Sequence, residues 1–294
     1  MKLWALSDLH VGYPENRRVI GELPAQPGDW LVLGGDLGES VEDLRFVLET
    51  LGPRFARLVW VPGNHELWTL PKADMPRGEA KYLQLVELCR KYGVLTPEDP
   101  YEIFDDGAAR YLIAPLFTLY DYSFCPPGMT VAQALEWALE AGLQCTDEHL
   151  LFPDPYPSRA AWCAARCAYS EKRLTAALQA HPGPSVLIDH FPLLSQLAVL
   201  PAVPRFCIWC GTTRTHDWHR RFRAAAVIFG HLHIPQERLI DGVRFIEASL
   251  GYPRQWSRYP ARVRLRQILP LLPLLPLPPA AQDPRSSGDR ARLP

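Results

Sequence analysis

Leu58-Val59-Trp60-Val61-Pro62-Gly63-Asn64-His65-Glu66 is a short apolar run that stops on a polar, turn-forming set. Four large apolar residues closed off by Pro and Gly suit a strand buried on both faces. The arrangement recurs on either side. Residues 3–6 lead into Asp8-Leu9-His10, residues 30–33 into Gly35-Asp36, residues 186–188 into Asp189-His190, and residues 226–229 into Gly230-His231-Leu232-His233. In open α/β sheets ligands gather beyond the carboxyl ends of the strands, so five such strands would bring five polar loops to one rim. Helical patterns at residues 17–23 and 41–51 alternate with the first three strands, which implies crossovers and a parallel sheet. Ser40 caps the second of these, with Asp43 in its acidic first turn.

Farther along, residues 79–92 read as an amphipathic helix, and strand-like pieces near 101–104 and 111–113 are expected to continue the sheet. Residues 118–182 break the rhythm with aromatics, Pro-rich turns and helices near 131–140 and 158–180, as a cap-like insertion beside the rim would. Asp241-Gly242 between two apolar runs is a hairpin signal. From Leu269 the chain turns Leu/Pro-rich, so residues 269–294 are expected to be a disordered tail behind a single domain over 1–268.

The 294 residues are 48% hydrophobic and 21% charged with a formal net charge of -1, so no global field points to nucleic acid or to an anionic membrane as partner. No apolar stretch reaches the roughly 18 residues of a membrane span, and Met1 runs straight into the first strand, so a cytoplasmic location is expected. Seven cysteines without a secretion signal argue against a disulfide framework. Cys207 and Cys210 with Cys163 and Cys167 would offer four thiolates to zinc; buried reduced thiols are the alternative.

Carboxylate and imidazole donors without thiolate suit Mn, Fe or Zn, and seven ligand groups, the Asn64 amide included, exceed the needs of one ion. Two ions sharing a carboxylate, about 3.5–4 Å apart, would activate a water between them and hold phosphoryl oxygens.

The ordered blocks Asp8-Leu9-His10, Gly35-Asp36, Gly63-Asn64-His65, His190 and Gly230-His231-Leu232-His233 resemble the calcineurin-like metallophosphoesterase superfamily. The resemblance implies a four-layer α/β sandwich of two mixed sheets flanked by helices. It puts Asp8, His10, Asp36 and His233 on one metal, and Asn64, His190 and His231 with bridging Asp36 on the other. His65 would stay off the metals as the catalytic acid or hydrogen-bond donor, beside a metal-bridging hydroxide that attacks a phosphoester. No role transfers to Glu66 or Asp189. A small-molecule phosphomonoesterase or nucleotide phosphodiesterase would use the same residues, and a non-catalytic scaffold could keep the fold.

Residues 60–69, Tyr120-Asp121-Tyr122-Ser123-Phe124, 209–215 and Tyr252-Pro253-Arg254 are similar to a bacterial subgroup that includes phosphopantetheinyl hydrolases. That resemblance implies removal of 4′-phosphopantetheine from acyl or peptidyl carrier proteins. Tyr122, Trp209 and Arg214 would then contact substrate, with Tyr120 and Phe124 along an apolar cleft; the alternative is that these aromatics are simply core of the cap. Arginines 205, 214, 220, 221 and 223, and 254, 258, 262, 264 and 266, could form a basic face for an acidic carrier protein.

Overall fold

The computed structural model describes residues 1–70, 75–257 and 265–271. Ten strands form two mixed sheets: β1 Leu3–Leu6, β2 Gln26–Leu33, β3 Phe55–Trp60, β4 Glu102–Asp105, β5 Arg110–Pro115, β6 Ser185–Ile188, β7 Ala224–Phe229, β8 Glu237–Ile240, β9 Val243–Glu247 and β10 Arg266–Leu269. The first sheet runs β10-β1-β2-β3 and the second β4-β5-β6-β7-β9-β8. The strands that carry the polar sets are parallel within each sheet, and antiparallel partners close the edges at β10, β4 and β8. Residues 101–113 therefore do not extend the first sheet: β4 and β5 open the second, with Phe104 edge-on to Trp30 across the gap.

Helices α1 Pro14–Glu22, α2 Val41–Leu51, α3 Asn64–Leu67, α4 Glu79–Lys91, α5 Val131–Glu140, α6 Asp147–Leu150, α7 Arg159–Ala180, α8 Trp218–Arg221 and α9 Pro253–Trp256 complete the chain. Ser40 caps α2 through the Asp43 N–H in a reciprocal capping box, and Ser158 caps α7.

Strand alternation builds the layers. Leu3, Val32, Val59, Val61, Ile113, Val186, Ile188, Ala226, Ile228 and Ile246 point into one apolar layer shared by the two sheets. Their neighbours Leu31, Leu33, Leu58, Trp60, Leu187, Val227, Phe229 and Phe245 turn outward and join the apolar faces of the helices. Both faces of each sheet are buried, which is why the strands read as unbroken apolar runs rather than alternating ones. The sheets are joined through backbone hydrogen bonds at the carboxyl end of β1, and Arg57 of β3 pairs with Glu102 of β4 elsewhere along the seam. Ser7 N–H donates to Ala248 O (3.0 Å) and Leu250 N–H to Ser7 O (2.8 Å), bridging the end of β1 to the end of β9.

At the hairpin, Asp241 (φ 51°) and Gly242 (φ 77°) both turn left-handed between paired β8 and β9, as a two-residue type I′ turn requires. Leu269 pairs with Leu3 and so belongs to the sheet; the expected tail from residue 272 onward lies outside the described residues. Among the described residues no helix is long and apolar enough to cross a membrane.

Candidate metal centre

Asp8 and His10 follow β1, Asp36 follows β2, Asn64 and His65 open α3 behind β3, His190 follows β6, and His231 and His233 follow β7. Donor atoms of Asp8, His10, Asp36 and His233 lie within 4.8 Å of one another, and so do those of Asp36, His190 and His231. Asp36 is common to both groups. Asn64 joins the second, its Oδ1 3.3 Å from His190 Nε2 and 3.2 Å from His231 Nδ1.

The loops curl back over the strand ends. Asp8, His10, Asp36, His231 and His233 all have positive φ, between 40° and 71°, a conformation that costs a non-glycine residue about 1–2 kcal/mol. Loop-to-loop hydrogen bonds hold it: Asp8 N–H to Gly35 O (2.8 Å) and His10 N–H to Asp36 O (3.0 Å). Glycine is needed where loops touch, since a Cβ on Gly63 would overlap Asp36 Oδ1 and one on Gly230 would overlap Ser7 Oγ and Asp8 Oδ2.

Tautomers show what the pocket is built to hold. His190 Nδ1 lies 2.9 Å from Gly34 O, so it carries the proton and leaves the Nε2 lone pair inward. That lone pair faces Asp36 Oδ2 at 3.4 Å and Asn64 Oδ1 at 3.3 Å, both of them acceptors. His233 repeats the pattern. Its Nδ1 meets Gln255 Oε1 at 2.9 Å, an oxygen that also accepts Tyr252 N–H, so Nε2 faces Asp8 Oδ1 (3.0 Å) and His10 Nε2 (3.1 Å). Three acceptors aimed at one point repel unless a positive charge sits among them, and the donor set fits two cations sharing Asp36.

Titration behaviour agrees. Burial favours neutral carboxyls, yet the surrounding imidazoles, His233 for Asp8 and His190 for Asp36, hold both well below the usual carboxylate range. Burial pushes His10 and His231 down to about 3, so both are neutral ligands. Burial also opposes charge on His190, but the Asp36 and Asp8 carboxylates outweigh it and push the ring up to about 10. In a cation-free site a proton on His190 takes the place of the positive charge.

His65 stands at the edge of both groups. Its Nε2 is 3.8 Å from Asp36 Oδ2 and its Nδ1 is 3.4 Å from Glu39 Oε1, while its ring lies 3.7 Å from that of Trp68. Burial disfavours its charged form, but Asp36 and Glu39 raise its pKa, which suits a proton donor.

Glu66 and Asp189 acquire definite places. Asp189 Oδ1 accepts the His190 N–H (2.9 Å). Glu66, buried, accepts from Asp36 N–H (2.8 Å), Leu37 N–H (2.9 Å) and Gly63 N–H (3.0 Å), clamping the loops after β2 and β3 together. Glu66→Ala would strand three buried donors, each worth about 1–3 kcal/mol. The metal-free variant is expected to melt on the order of 10 °C lower. A calorimetric scan within 2 °C of the parent would refute the clamp.

Two sequence expectations come out differently. Tyr122 and Trp209 do not face a cleft: both are buried and converge on Glu148 Oε1, Tyr122 Oη at 2.9 Å and Trp209 Nε1 at 2.8 Å. Phe191, 4.8 Å from the His231 ring, and Phe206, 6.3 Å from it, are the aromatics that face it instead. Tyr120 is buried as well, and Arg214 is exposed and pairs with Asp121 at 3.3 Å. Arg220, Arg221 and Arg223 precede β7 and so sit at the opposite end of that strand from the metal loops, roughly 20 Å away at strand rise. They are also engaged, Arg220 with Asp241, Arg221 with Glu171 and Asp217, and Arg223 with Pro182 O. Of the later arginines, 258, 262 and 264 lie outside the described residues. The cysteines are all unbridged, and Cys207 Sγ donates to Phe124 O; among the described residues no metal-binding group contains a thiol.

Four contributors escaped the sequence. Glu39 had a signal, lying three residues past Asp36. Gln255 is adjacent to a quoted stretch, whereas Ser249, which donates to Asp8 Oδ2 at 2.7 Å, and Asp147, which holds Asn64 at 2.9 Å, had none.

Comparison with known proteins matches the geometry. Residues 1–235 fit the calcineurin-like phosphoesterase profile. The chain is 46% identical over 271 residues to the acyl-carrier-protein phosphodiesterase PptH of Mycobacterium tuberculosis, covering 91% of this chain and 83% of that one. The crystal structure of that phosphopantetheinyl hydrolase superposes with a TM-score of 0.88, at 94% coverage of this chain and 98% of the other.

Proposed function

Because this chain belongs to the calcineurin-like phosphoesterase family, we propose that it hydrolyses the phosphodiester joining 4′-phosphopantetheine to a serine of a carrier protein, returning the apo form. The observation that carries this is the 46% identity to PptH over 271 residues, 91% of this chain. Asp8, His10, Asp36 and His233 would hold one cation, and Asp36, Asn64, His190 and His231 the other. Bound there, Mn, Fe or Zn supplies Lewis-acid activation of water and neutralises phosphoryl oxygens.

The chain's own groups supply the rest. Water adds its oxygen to phosphorus and sheds a proton to solvent, the P–O bond to serine breaks, and His65 gives the serine oxygen its proton and regains one from solvent. Glu39 at Nδ1 keeps that ring charged and oriented. Trp68, stacked on the ring, limits its rotation. The reaction needs no covalent enzyme intermediate.

Entry from the β1 side is open. A surface hollow of about 460 Å³ is lined by Tyr13, Glu15, Tyr252, Pro253 and Arg254. Tyr252 stacks on His10 with ring centres 4.5 Å apart, and the exposed Arg254 is the arginine that an acidic carrier would meet at this rim. Seven unbridged cysteines fit a reducing compartment, and we place the reaction in the cytoplasm.

Intact-mass spectrometry of a purified holo acyl carrier protein incubated with Mn-loaded enzyme tests the proposal. The expected result is conversion to the apo mass with release of 4′-phosphopantetheine. An unchanged carrier protein, alongside metal-dependent cleavage of an aryl phosphodiester, would reject the carrier substrate and keep the hydrolase.

A further inference from the structure

We propose that Asp147 is a positioning residue that fixes the ligand face of Asn64 and thereby makes the second cation site, but not the first, depend on the segment between β5 and β6. The inference rests on the two-cation reading above.

Asp147 lies on α6, 83 positions from Asn64, and is completely buried. Its Oδ1 accepts from Asn64 Nδ2 at 2.9 Å and from Trp68 Nε1 at 2.6 Å. Arg159, the nearby cation, donates instead to the Asp147 backbone carbonyl at 3.2 Å and pairs with Glu148. A buried carboxylate left without a cationic partner is unfavourable for folding. Of its side-chain donors, Asn64 belongs to the second donor group, Trp68 packs on His65 beside it, and Tyr120 is a buried neighbour.

An amide can turn either end toward a ligand site, and only its oxygen can ligate a cation. A carboxylate accepts and cannot donate. Against Asp147 the flipped Asn64 would set oxygen facing oxygen, so the amide nitrogen points to Asp147 and Oδ1 points to His190 and His231. The same carboxylate oxygen ties down Trp68, whose ring lies 3.7 Å from His65. The first group has other supports: Ser7 and Ser249 donate to Asp8 Oδ2, Gln255 meets His233 Nδ1, and Tyr252 stacks on His10.

The test is a Mn(II) titration of metal-free protein, followed by calorimetry and by elemental analysis of bound metal. Wild type is expected to take up two ions. Asp147→Ala should weaken one of them by about 10–100-fold and leave the other unchanged. Asn64→Ala should lose that same ion, and the double variant should lose no more. Asp147→Asn keeps an acceptor for both donors and should retain two ions. If the alanine variant is insoluble, Asp147→Ser, too short to reach Asn64, reads the same way. Two ions at wild-type affinity in Asp147→Ala, or equal weakening of both, would overturn the inference. So would a lower melting temperature with both affinities intact, which would mark a merely structural residue. A wild-type chain that binds no cation would overturn the two-cation reading, and the inference with it.

Discussion

Asp36→Asn is expected to empty both cation sites together and to lower kcat/KM for a phosphodiester by about 10³-fold or more, equivalent to ~4 kcal/mol of transition-state stabilisation. Asp36 is the carboxylate common to the two donor groups. Its Oδ1 accepts the His65 N–H at 2.9 Å and its Oδ2 faces His190 Nε2 at 3.4 Å. Asparagine has the same shape and can keep the first contact, but it replaces the shared anionic oxygen by an N–H₂ group or a neutral carbonyl. The imidazoles of His10, His65 and His190 then lose the carboxylate they surround, and two cations there would lose the anionic oxygen between them. Elemental analysis should fall from two ions per chain toward none, and the extra melting temperature that metal confers on wild type should vanish in the variant. One ion retained with a tenth or more of the activity would show that Asp36 serves a single cation.

His65→Asn should leave both cations in place and lower kcat by about 10²–10⁴-fold on an alkyl phosphodiester. The ring belongs to neither donor group, its Nε2 standing 3.8 Å from Asp36 Oδ2, so cation binding is expected to survive its loss. Its contribution is a proton for a poor leaving group. A nitrophenolate leaves without one, so the loss on an aryl phosphodiester should be at least tenfold smaller. An equal loss on both esters would assign His65 to holding a phosphoryl oxygen rather than to protonating the departing one.

The metal centre was legible because each ligand follows its strand within a few residues, and strand ends in open sheets converge. The second sheet was less so, since nothing local at Tyr101 or Tyr111 says which sheet a short strand will join. Aromatic residues misled for a different reason: Tyr122 and Trp209 are apolar whether they face a cleft or a core, and a hydrogen bond to Glu148, distant in sequence, decides. The arginines misled through adjacency. Six residues of extended chain at roughly 3.3 Å each separate Arg223 from the loop after β7, so neighbours in sequence stand at opposite ends of the sheet. Asp147 reaches the site only through tertiary packing.

Each cation position draws donors from both sheets: Asp8, His10 and Asp36 with His233, and Asp36 and Asn64 with His190 and His231. A complete donor set therefore exists only once both sheets have formed and met, so cation uptake would report assembly of the whole sandwich rather than of either sheet alone.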